Sequence, residues 1–161
     1  MPIHGPATLE WRYHVAVKAV ILFFSLCLPA VAGPAAGQQA EAPKGYRLAA
    51  EQGDALAQYN LGVMYAKGQG VVQDYKEAAK WYRLAAEQGS AEAQSNLGFL
   101  YEEGQGVPQD YVEAHMWFNL GGASGDARGI KNRDIIARKM TPEQIAEAQR
   151  RAREWKPKTG R

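Results

Sequence analysis

Few side chains of this 161-residue protein are of the types that do chemistry, and their spacing argues against a catalytic or metal site. Its histidines are His4, His14 and His115, and its single cysteine is Cys27. General-base catalysis needs a partner side chain within reach of the histidine, and a structural zinc site needs about four nitrogen or sulfur ligands. We therefore expect His115 to be a packed or surface residue, and we expect no metal or cofactor.

The glycine pairs and the acidic pair also have structural explanations. Gly68–Gly70 and Gly104–Gly106 follow predicted helices and lack the third glycine of a dinucleotide-binding turn. Glu102 and Glu103 are adjacent on a predicted helix, so their side chains point apart. The G-x-S-x-G, S-x-x-K and H-E-x-x-H motifs of hydrolases do not occur in the sequence. These patterns predict a protein that is not an enzyme.

The segment that contains these residues is a tandem repeat with a period of 36. Residues Tyr46–Trp81 and Tyr82–Trp117 agree at 25 of 36 positions without a gap, and a third copy starts at Phe118 and then diverges. Self-similarity near this period is typical of stacked helix–turn–helix units. One unit cannot bury its apolar face alone, so neighbouring units must pack side by side.

Each unit is predicted to contain two helices, A and B. Helix A covers about Ala55–Lys67 and Ala91–Glu103, and helix B begins after Asp74 or Asp110, each of which can cap the helix. A glycine recurs in the middle of each helix A, where it costs roughly 1 kcal/mol relative to alanine. Its recurrence predicts close approach of another helix at that point.

Half-units are expected at both ends of the repeat. Gly45–Gly53 matches only the second half of a helix B, and Ala127–Lys139 matches a helix A. Thr141-Pro142-Glu143-Gln144 is a helix start signal, and the helix that follows, to about Trp155, has one apolar stripe suited to a terminal cap. We predict an all-α domain over residues 45–155, a short right-handed α-solenoid of about two full repeats with half-repeats and a C-terminal capping helix.

The repeated residues resemble a known family. The pattern A-x-x-Q-x-N-L-G-x-x-Y-x-x-G-x-G-V-x-x-D-Y-x-x-A-x-x-W-Y/F-x-x-A-A-x-x-G is similar to the Sel-one-like repeat, a relative of the tetratricopeptide repeat. It occurs at Ala55–Gly89 and at Ala91–Gly125, where Gly121 and Gly122 depart from it. The resemblance implies a scaffold or adaptor that binds proteins. A β-lactam-binding or hydrolysing role has been proposed for cysteine-rich exported relatives, so a cell-envelope hydrolase is the alternative function. Cysteines are absent from the repeats of this chain, so the features of that subgroup do not transfer to it.

The N-terminal segment predicts export. Ala19–Ala32 is uncharged and mostly apolar, follows Lys18 and ends in Ala-Val-Ala, as a secretory signal does. Its 14 residues (32 − 19 + 1) are fewer than the roughly 20 that span a membrane. We expect a signal peptide over residues 1–32, cleaved near Ala32, a flexible leader over 33–44, and a periplasmic or secreted protein. The alternative is an N-terminal membrane anchor retained by the mature protein.

The differences between the two units suggest where a partner binds. A face that packs unit on unit must repeat, whereas a face that meets a ligand need not. Helix A differs between the units at positions 56, 59, 63, 64, 66 and 67, and of these 56, 59, 63 and 66 share one face of a helix. In stacked hairpins the A helices line the concave binding side. The hypothesis is that a protein or peptide partner contacts Tyr59, Val63, Lys67, Ser95, Phe99 and Glu103.

Charge is distributed unevenly along the chain. Residues 41–126 hold 6 basic and 12 acidic side chains, whereas residues 127–161 hold 11 basic and 4 acidic ones. The basic region is interpreted as a solvated cap helix followed by a tail over residues 156–161. Its functional alternative is weak contact with anionic membranes through Arg150, Arg151, Arg153 and Lys156. No nucleic-acid partner is expected.

Overall fold

The computed structural model describes residues 44–158, and within them the chain is entirely helical apart from its turns. The helices are α1 (Lys44–Glu51), α2 (Ala55–Lys67), α3 (Tyr75–Glu87), α4 (Ala91–Glu103), α5 (Tyr111–Ala123), α6 (Ala127–Ala137) and α7 (Pro142–Glu154). The predicted signal peptide and nearly all of the predicted leader lie outside the described residues, as do residues 159–161. None of the described helices is long and apolar enough to cross a membrane.

Local capping fixes the helix ends that the sequence predicts. The Asp54 carboxylate accepts a hydrogen bond of 2.6 Å from the Ala57 N–H at the start of α2. Asp110 accepts bonds of 2.8 and 3.1 Å from two N–H groups at the start of α5. At the other end, Gly68 and Gly104 adopt left-handed conformations with φ of 66° and 67°. These caps satisfy orphan backbone groups, so both A helices have the predicted bounds.

Helices α2/α3 and α4/α5 form the two predicted hairpins, and each hairpin is held by a large ring on a glycine. A Cβ added at Gly62 would come within 2.5 Å of the Tyr82 ring, and one at Gly98 within 2.8 Å of the Phe118 ring. Leu61 and Leu97, one residue earlier in each A helix, are fully buried. The repeated mid-helix glycines therefore serve close helix approach, as the sequence predicts.

The C-terminal helix α7 caps the stack, and the repeat pattern does not predict the helix on which it packs. Its capping box at Thr141 and Gln144 is present. The helix packs chiefly on α5, the second helix B, rather than on its sequence neighbour α6. Arg151 lies 2.7 Å from Glu113 of α5, and the Trp155 ring meets Trp117 edge-on at 6.3 Å. The α-solenoid thus ends in a helix laid across its B side.

The segment after α7 continues over the same side of the stack. The Lys158 backbone N–H donates to the Glu87 carbonyl at 2.7 Å, and its ammonium group lies 2.9 Å from the Glu87 carboxylate. Glu87 ends α3, so this carbonyl is one that the helix itself leaves without a partner. The chain from α7 to Lys158 therefore ties the second hairpin to the first.

Candidate functional site

A groove of about 310 Å³ runs across the A helices, and we call it the A-helix groove. Residues of α2, α4 and α6 contribute to its lining, and α3 contributes Tyr75 and Tyr82 between them. The lining residues are Tyr59, Val63, Ala66, Lys67, Tyr75, Tyr82, Asn96, Phe99, Leu100, Gln105 and Arg128. The groove is open to solvent along the same helix face that differs between the two repeats.

Aromatic rings form much of the groove, with polar groups beside them. The Tyr59 and Tyr82 rings lie 6.0 Å apart at an angle of 37°. Burial raises the pKa of the Tyr82 hydroxyl to about 12, against a smaller opposing effect of Asn96. The Phe99 ring is exposed, although a phenylalanine gains from leaving water. An apolar surface with amide and hydroxyl groups nearby suits an amphipathic peptide.

Of the two positively charged side chains that line the groove, Arg128 has a carboxylate partner and Lys67 does not, among residues 44–158. Arg128 makes a two-pronged contact with Asp126, with Nη2 2.8 Å from Oδ2 and Nε 3.1 Å from Oδ1. Burial acts to raise the pKa of Asp126, but the Arg128 hydrogen bonds outweigh it and lower that pKa. Lys67 has no ion-pair partner among residues 44–158. Among the described residues, Lys67 is therefore the cation of the groove lining that no carboxylate balances.

Four of the six predicted contact residues line this groove, namely Tyr59, Val63, Lys67 and Phe99. Glu103, the last residue of α4, is exposed but is not part of the lining. The prediction for Ser95 is wrong, because this residue is 3% exposed and so does not lie on the surface. The face assignment otherwise agrees with burial, since Leu61 and Leu97 on the repeating face are fully buried.

The burial of Ser95 has a steric cause. A Cβ added at Gly121 would come within 2.4 Å of the Ser95 hydroxyl oxygen, so α4 and α5 approach closely there. In the second unit, the small Ser95 of α4 thus lies opposite Gly121 of α5, where the first unit has the larger pair Tyr59 and Ala85 at the equivalent positions. The difference between Tyr59 and Ser95 reflects this packing and not a ligand.

The groove also contains residues that sequence reasoning missed. Tyr82 and Asn96 repeat between the units, so a comparison of the positions that differ does not single them out. Both nevertheless line the groove, where the Tyr82 ring is buried at its floor and the Asn96 amide is partly exposed. Arg128 lies in the diverged third copy, where no repeat comparison was possible. The Asn that recurs in the N-L-G motif could have indicated the groove, because a polar side chain on a packed helix needs either a hydrogen-bond partner or access to solvent.

The basic residues of α7 are largely matched by carboxylates. Arg150 lies 2.8 Å from Glu147 and 2.7 Å from Glu154, and Arg151 lies 2.7 Å from both Glu147 and Glu113. Hydrogen bonds from the two arginines lower the pKa of Glu147 to about 2. Arg153 is exposed. Two of the four basic residues proposed for a membrane contact are therefore already paired within the fold.

Over residues 44–158, no group of three or more histidine, cysteine, aspartate or glutamate side chains is placed to hold a metal ion. His115 is buried, and its Nδ1 has no hydrogen-bond partner. Burial lowers the pKa of its imidazole, and nearby Arg133 lowers it further. The residue is therefore neutral and enclosed in the packing, as expected for a structural histidine.

The fold and the groove define an α-solenoid of helical hairpin repeats, a class that presents stacked helices as a binding surface. The family model of the Sel1 repeat matches residues 46–54, 55–90 and 91–126. The chain belongs to the Sel1 repeat family, which the sequence pattern resembles and whose members generally mediate protein–protein interactions. No match was found among curated proteins.

Two solved structures show how this fold occurs elsewhere. One is c5321, a protective antigen of uropathogenic Escherichia coli strains with an SLR fold, at 39% identity and a TM-score of 0.68. The other is a Sel1 repeat protein from Oxalobacter formigenes, at 36% identity and a TM-score of 0.58. The matches cover 70% and 69% of this chain, but only 24% and 48% of the other two. The chain therefore spans about a quarter and about half of these relatives.

Proposed function

We propose that the protein is an exported interaction module that binds a segment of a partner protein along the A-helix groove. The observation that carries the proposal is the gathering of Tyr59, Val63, Lys67 and Phe99 in one open groove. These residues come from two different repeats, and each of them differs from the residue at the equivalent position of the other repeat. Packing between units gives no reason for an exposed Phe99 where the first unit has Val63.

The chemistry of the groove favours a short amphipathic segment with an acidic residue. Apolar side chains of the partner would cover Val63 and the ring of Phe99, and a carboxylate would meet the ammonium group of Lys67, for which residues 44–158 provide no ion-pair partner. Burial of aromatic anchors provides most of the energy in such contacts, and a charge at the rim contributes mainly to the rate of association. Binding of this kind needs no cofactor.

Replacement of the two aromatic residues tests this function. The double variant Tyr59→Ala/Phe99→Ala should lose binding of an envelope protein that the unaltered chain captures, measured with both proteins purified. Removing two aromatic anchors should weaken binding by about 100-fold, equivalent to about 3 kcal/mol. Phe99→Ala alone should leave the melting temperature nearly unchanged, because that ring is exposed, whereas Tyr59→Ala should lower it moderately, since its partly buried ring packs on Tyr82.

A matched control separates groove binding from general loss of surface. Leu84→Ala removes a comparably exposed apolar side chain of α3 that does not line the groove, and it should bind as the unaltered chain does. If the Leu84 variant loses binding as strongly as the groove variant, the groove is not the binding site. If the groove variant loses binding and its melting temperature also falls steeply, Tyr59 and Phe99 belong to the core instead.

Export is part of the proposal and has its own test. It is supported by the uncharged run Ala19–Ala32 after Lys18 in the sequence. N-terminal sequencing of the protein from the cell envelope should begin near Gly33 if the signal peptide is cleaved. A chain that still begins at Met1 and fractionates with membranes would support the retained anchor in its place.

The two alternative activities are tested directly. Hydrolysis of a chromogenic β-lactam by the purified protein would support an envelope hydrolase and contradict the adaptor function. For the membrane contact, Arg153 and Lys156 are the proposed residues without an ion pair among residues 44–158. Co-sedimentation with anionic vesicles that Arg153→Ala/Lys156→Ala abolishes would support that contact.

A further inference from the structure

The same eight residues, Tyr-Arg-Leu-Ala-Ala-Glu-Gln-Gly, occur at 46–53 in α1 and at 82–89 in α3. The two copies sit in the same way on the helix that follows each of them. Gln58 donates to the Ala50 carbonyl at 3.0 Å, and Gln94 donates to the Ala86 carbonyl at 3.1 Å. Over these eight residues the two copies therefore present the same side chains, although just before them Gly45 stands where α3 has Trp81.

Two further pairs of contacts show the same equivalence. Arg47 donates to the Tyr65 hydroxyl as Arg83 does to the Tyr101 hydroxyl. The glycine that ends each copy has a φ of 96° at Gly53 and 94° at Gly89. The junction of α1 with α2 thus reproduces the junction of α3 with α4.

Only one of the two copies is covered on its other side by a described helix. Over α3, helix α2 brings Gly62 against the Tyr82 ring and Tyr59 beside it, and Tyr82 is 4% exposed. Over α1, the equivalent Tyr46 is 47% exposed. A cavity of about 470 Å³ opens beside it and is lined by Gly45, Tyr46, Ala49, Asp54, Leu56, Ala57 and Asn60. We call this cavity and its rim the front face.

The composition of the front face differs from that of a surface built to meet water. Leu56 is 68% exposed there, whereas the second unit has Glu92 at the equivalent position. Exposed large apolar side chains grouped on one surface mark an interaction site. The front face repeats the α3 surface on which α2 packs, so the described structure already shows what fits it.

The other end of the solenoid does not supply the matching helix. In α6 the positions that correspond to Leu61 and Gly62 of α2 hold Arg133 and Asp134. These two side chains form an ion pair at 2.8 Å. A charged pair cannot replace the leucine and glycine that admit a tyrosine ring, so head-to-tail stacking of two copies does not cover the front face.

We propose that the front face binds an amphipathic helix of another protein. That helix presents an aromatic side chain and, three positions later, a glycine, as Tyr59 and Gly62 of α2 do toward α3. The aromatic ring fills the cavity beside Tyr46 and Asn60, and the glycine admits the Tyr46 ring against the helix backbone. This site is separate from the A-helix groove and does not depend on it.

The test uses α2, the helix that covers the equivalent surface of α3 within the chain. The probe is a capped synthetic peptide with the sequence of residues 54–68, DALAQYNLGVMYAKG, titrated into the purified protein in the form that the cell retains. Binding is measured by calorimetry, and its location by chemical-shift changes in the protein amides. We expect binding with the largest changes at residues 45–60.

Two substitutions test the geometry of binding. Gly62→Leu in the peptide should weaken binding about tenfold or more, because its side chain would meet Tyr46 as a Cβ at Gly62 would meet Tyr82. Tyr46→Ala in the protein should have a similar effect, and its melting temperature should stay close to that of the unaltered chain, since Tyr46 is half exposed. The control Leu84→Ala should leave peptide binding unchanged.

Three results would overturn the proposal. They are no measurable binding, equal binding of the glycine and leucine peptides, and shift changes that lie away from the front face. Loss of peptide binding in Tyr46→Ala with retained binding in the double variant Tyr59→Ala/Phe99→Ala would support two separate surfaces.

Discussion

Gly62 of α2 lies against the ring of Tyr82 in α3, so that a Cβ at this glycine would come within 2.5 Å of the ring atom Cδ1. The second hairpin repeats the relationship with Gly98 and Phe118. In each case a glycine that weakens its own helix allows a large ring to lie against the helix backbone. The tertiary contact therefore explains a residue that local helix propensity disfavours.

Replacing these glycines with alanine should destabilise the protein despite the higher helix propensity of alanine. We expect Gly98→Ala to lower the free energy of unfolding by about 2 kcal/mol, because Phe118 is fully buried and the Ala114 carbonyl is also only 3.1 Å from the new Cβ. Gly62→Ala should cost a similar amount, since its Cβ would come still closer, within 2.5 Å, to the buried Tyr82 ring. Urea denaturation measures both effects. Gly45→Ala in α1, where a Cβ meets nothing within 4 Å, serves as the control and should be neutral or stabilising.

The turn glycines at equivalent positions of the two units should respond differently to substitution. Gly70 and Gly106 have φ of 71° and 69°, so alanine is strained at both by about 1–2 kcal/mol. At Gly106 the Cβ would also lie 2.2 Å from the Tyr75 backbone, whereas at Gly70 the nearest atom is the Met64 methyl at 3.4 Å. Gly106→Ala should therefore lower the melting temperature clearly more than Gly70→Ala. Equal effects would show that the turn of the second unit does not pack on α3.

Stability should fall on mild acidification because of His115. Its burial, helped by the positive charge of Arg133, lowers the pKa of the imidazole in the folded protein, and Asp134 opposes this only partly. The unfolded chain takes up a proton below about pH 6.5, whereas the folded protein does so only at lower pH. The free energy of unfolding should therefore decrease as the pH falls below about 6.5, by at most about 1.4 kcal/mol per pH unit.

Comparison with His115→Ala isolates this contribution. Alanine stands at the equivalent position of the first unit, Ala79, which is also buried. Urea denaturation of both proteins at pH 7.5 and pH 5.5 gives the pH effect of each. The variant should lose less stability than the unaltered chain on acidification. The same loss in both would mean that His115 is not the group responsible.

The Trp117–Trp155 contact should account for much of the attachment of α7. Trp155→Ala removes a partly buried ring from an edge-on pair at 6.3 Å, and we expect a loss of about 2 kcal/mol in the free energy of unfolding. Lys156→Ala, one residue later and exposed, should have no measurable effect. Hydrogen exchange of the α7 amides should be faster in the Trp155 variant. Unchanged exchange would mean that the Arg151–Glu113 ion pair holds the helix instead.

The sequence was sufficient for the architecture because the information is local and repeated. The caps at Asp54, Asp74 and Ser90 and the glycines at Gly68 and Gly104 determine where helices start and end, and the structure has both A helices at the predicted residues. The period of 36 required stacked hairpins, and the glycine in each A helix indicated their close approach. Four groove residues were also predicted, since a helix face follows from spacing alone.

What the sequence left undecided involves partners distant along the chain. Ser95 was placed on the surface because it differs from Tyr59, and only its contact with Gly121 shows that the difference is a packing adjustment. Three other features also depend on contacts between distant parts of the chain. They are the pairing of Arg150 and Arg151 with carboxylates, the packing of α7 on α5 and the exposure of Tyr46. The order of residues specifies local hydrogen bonds and periodic faces. Which faces meet, and which stay open to a partner, depends on side chains from separate repeats fitting together in space, and only the tertiary structure shows that fit.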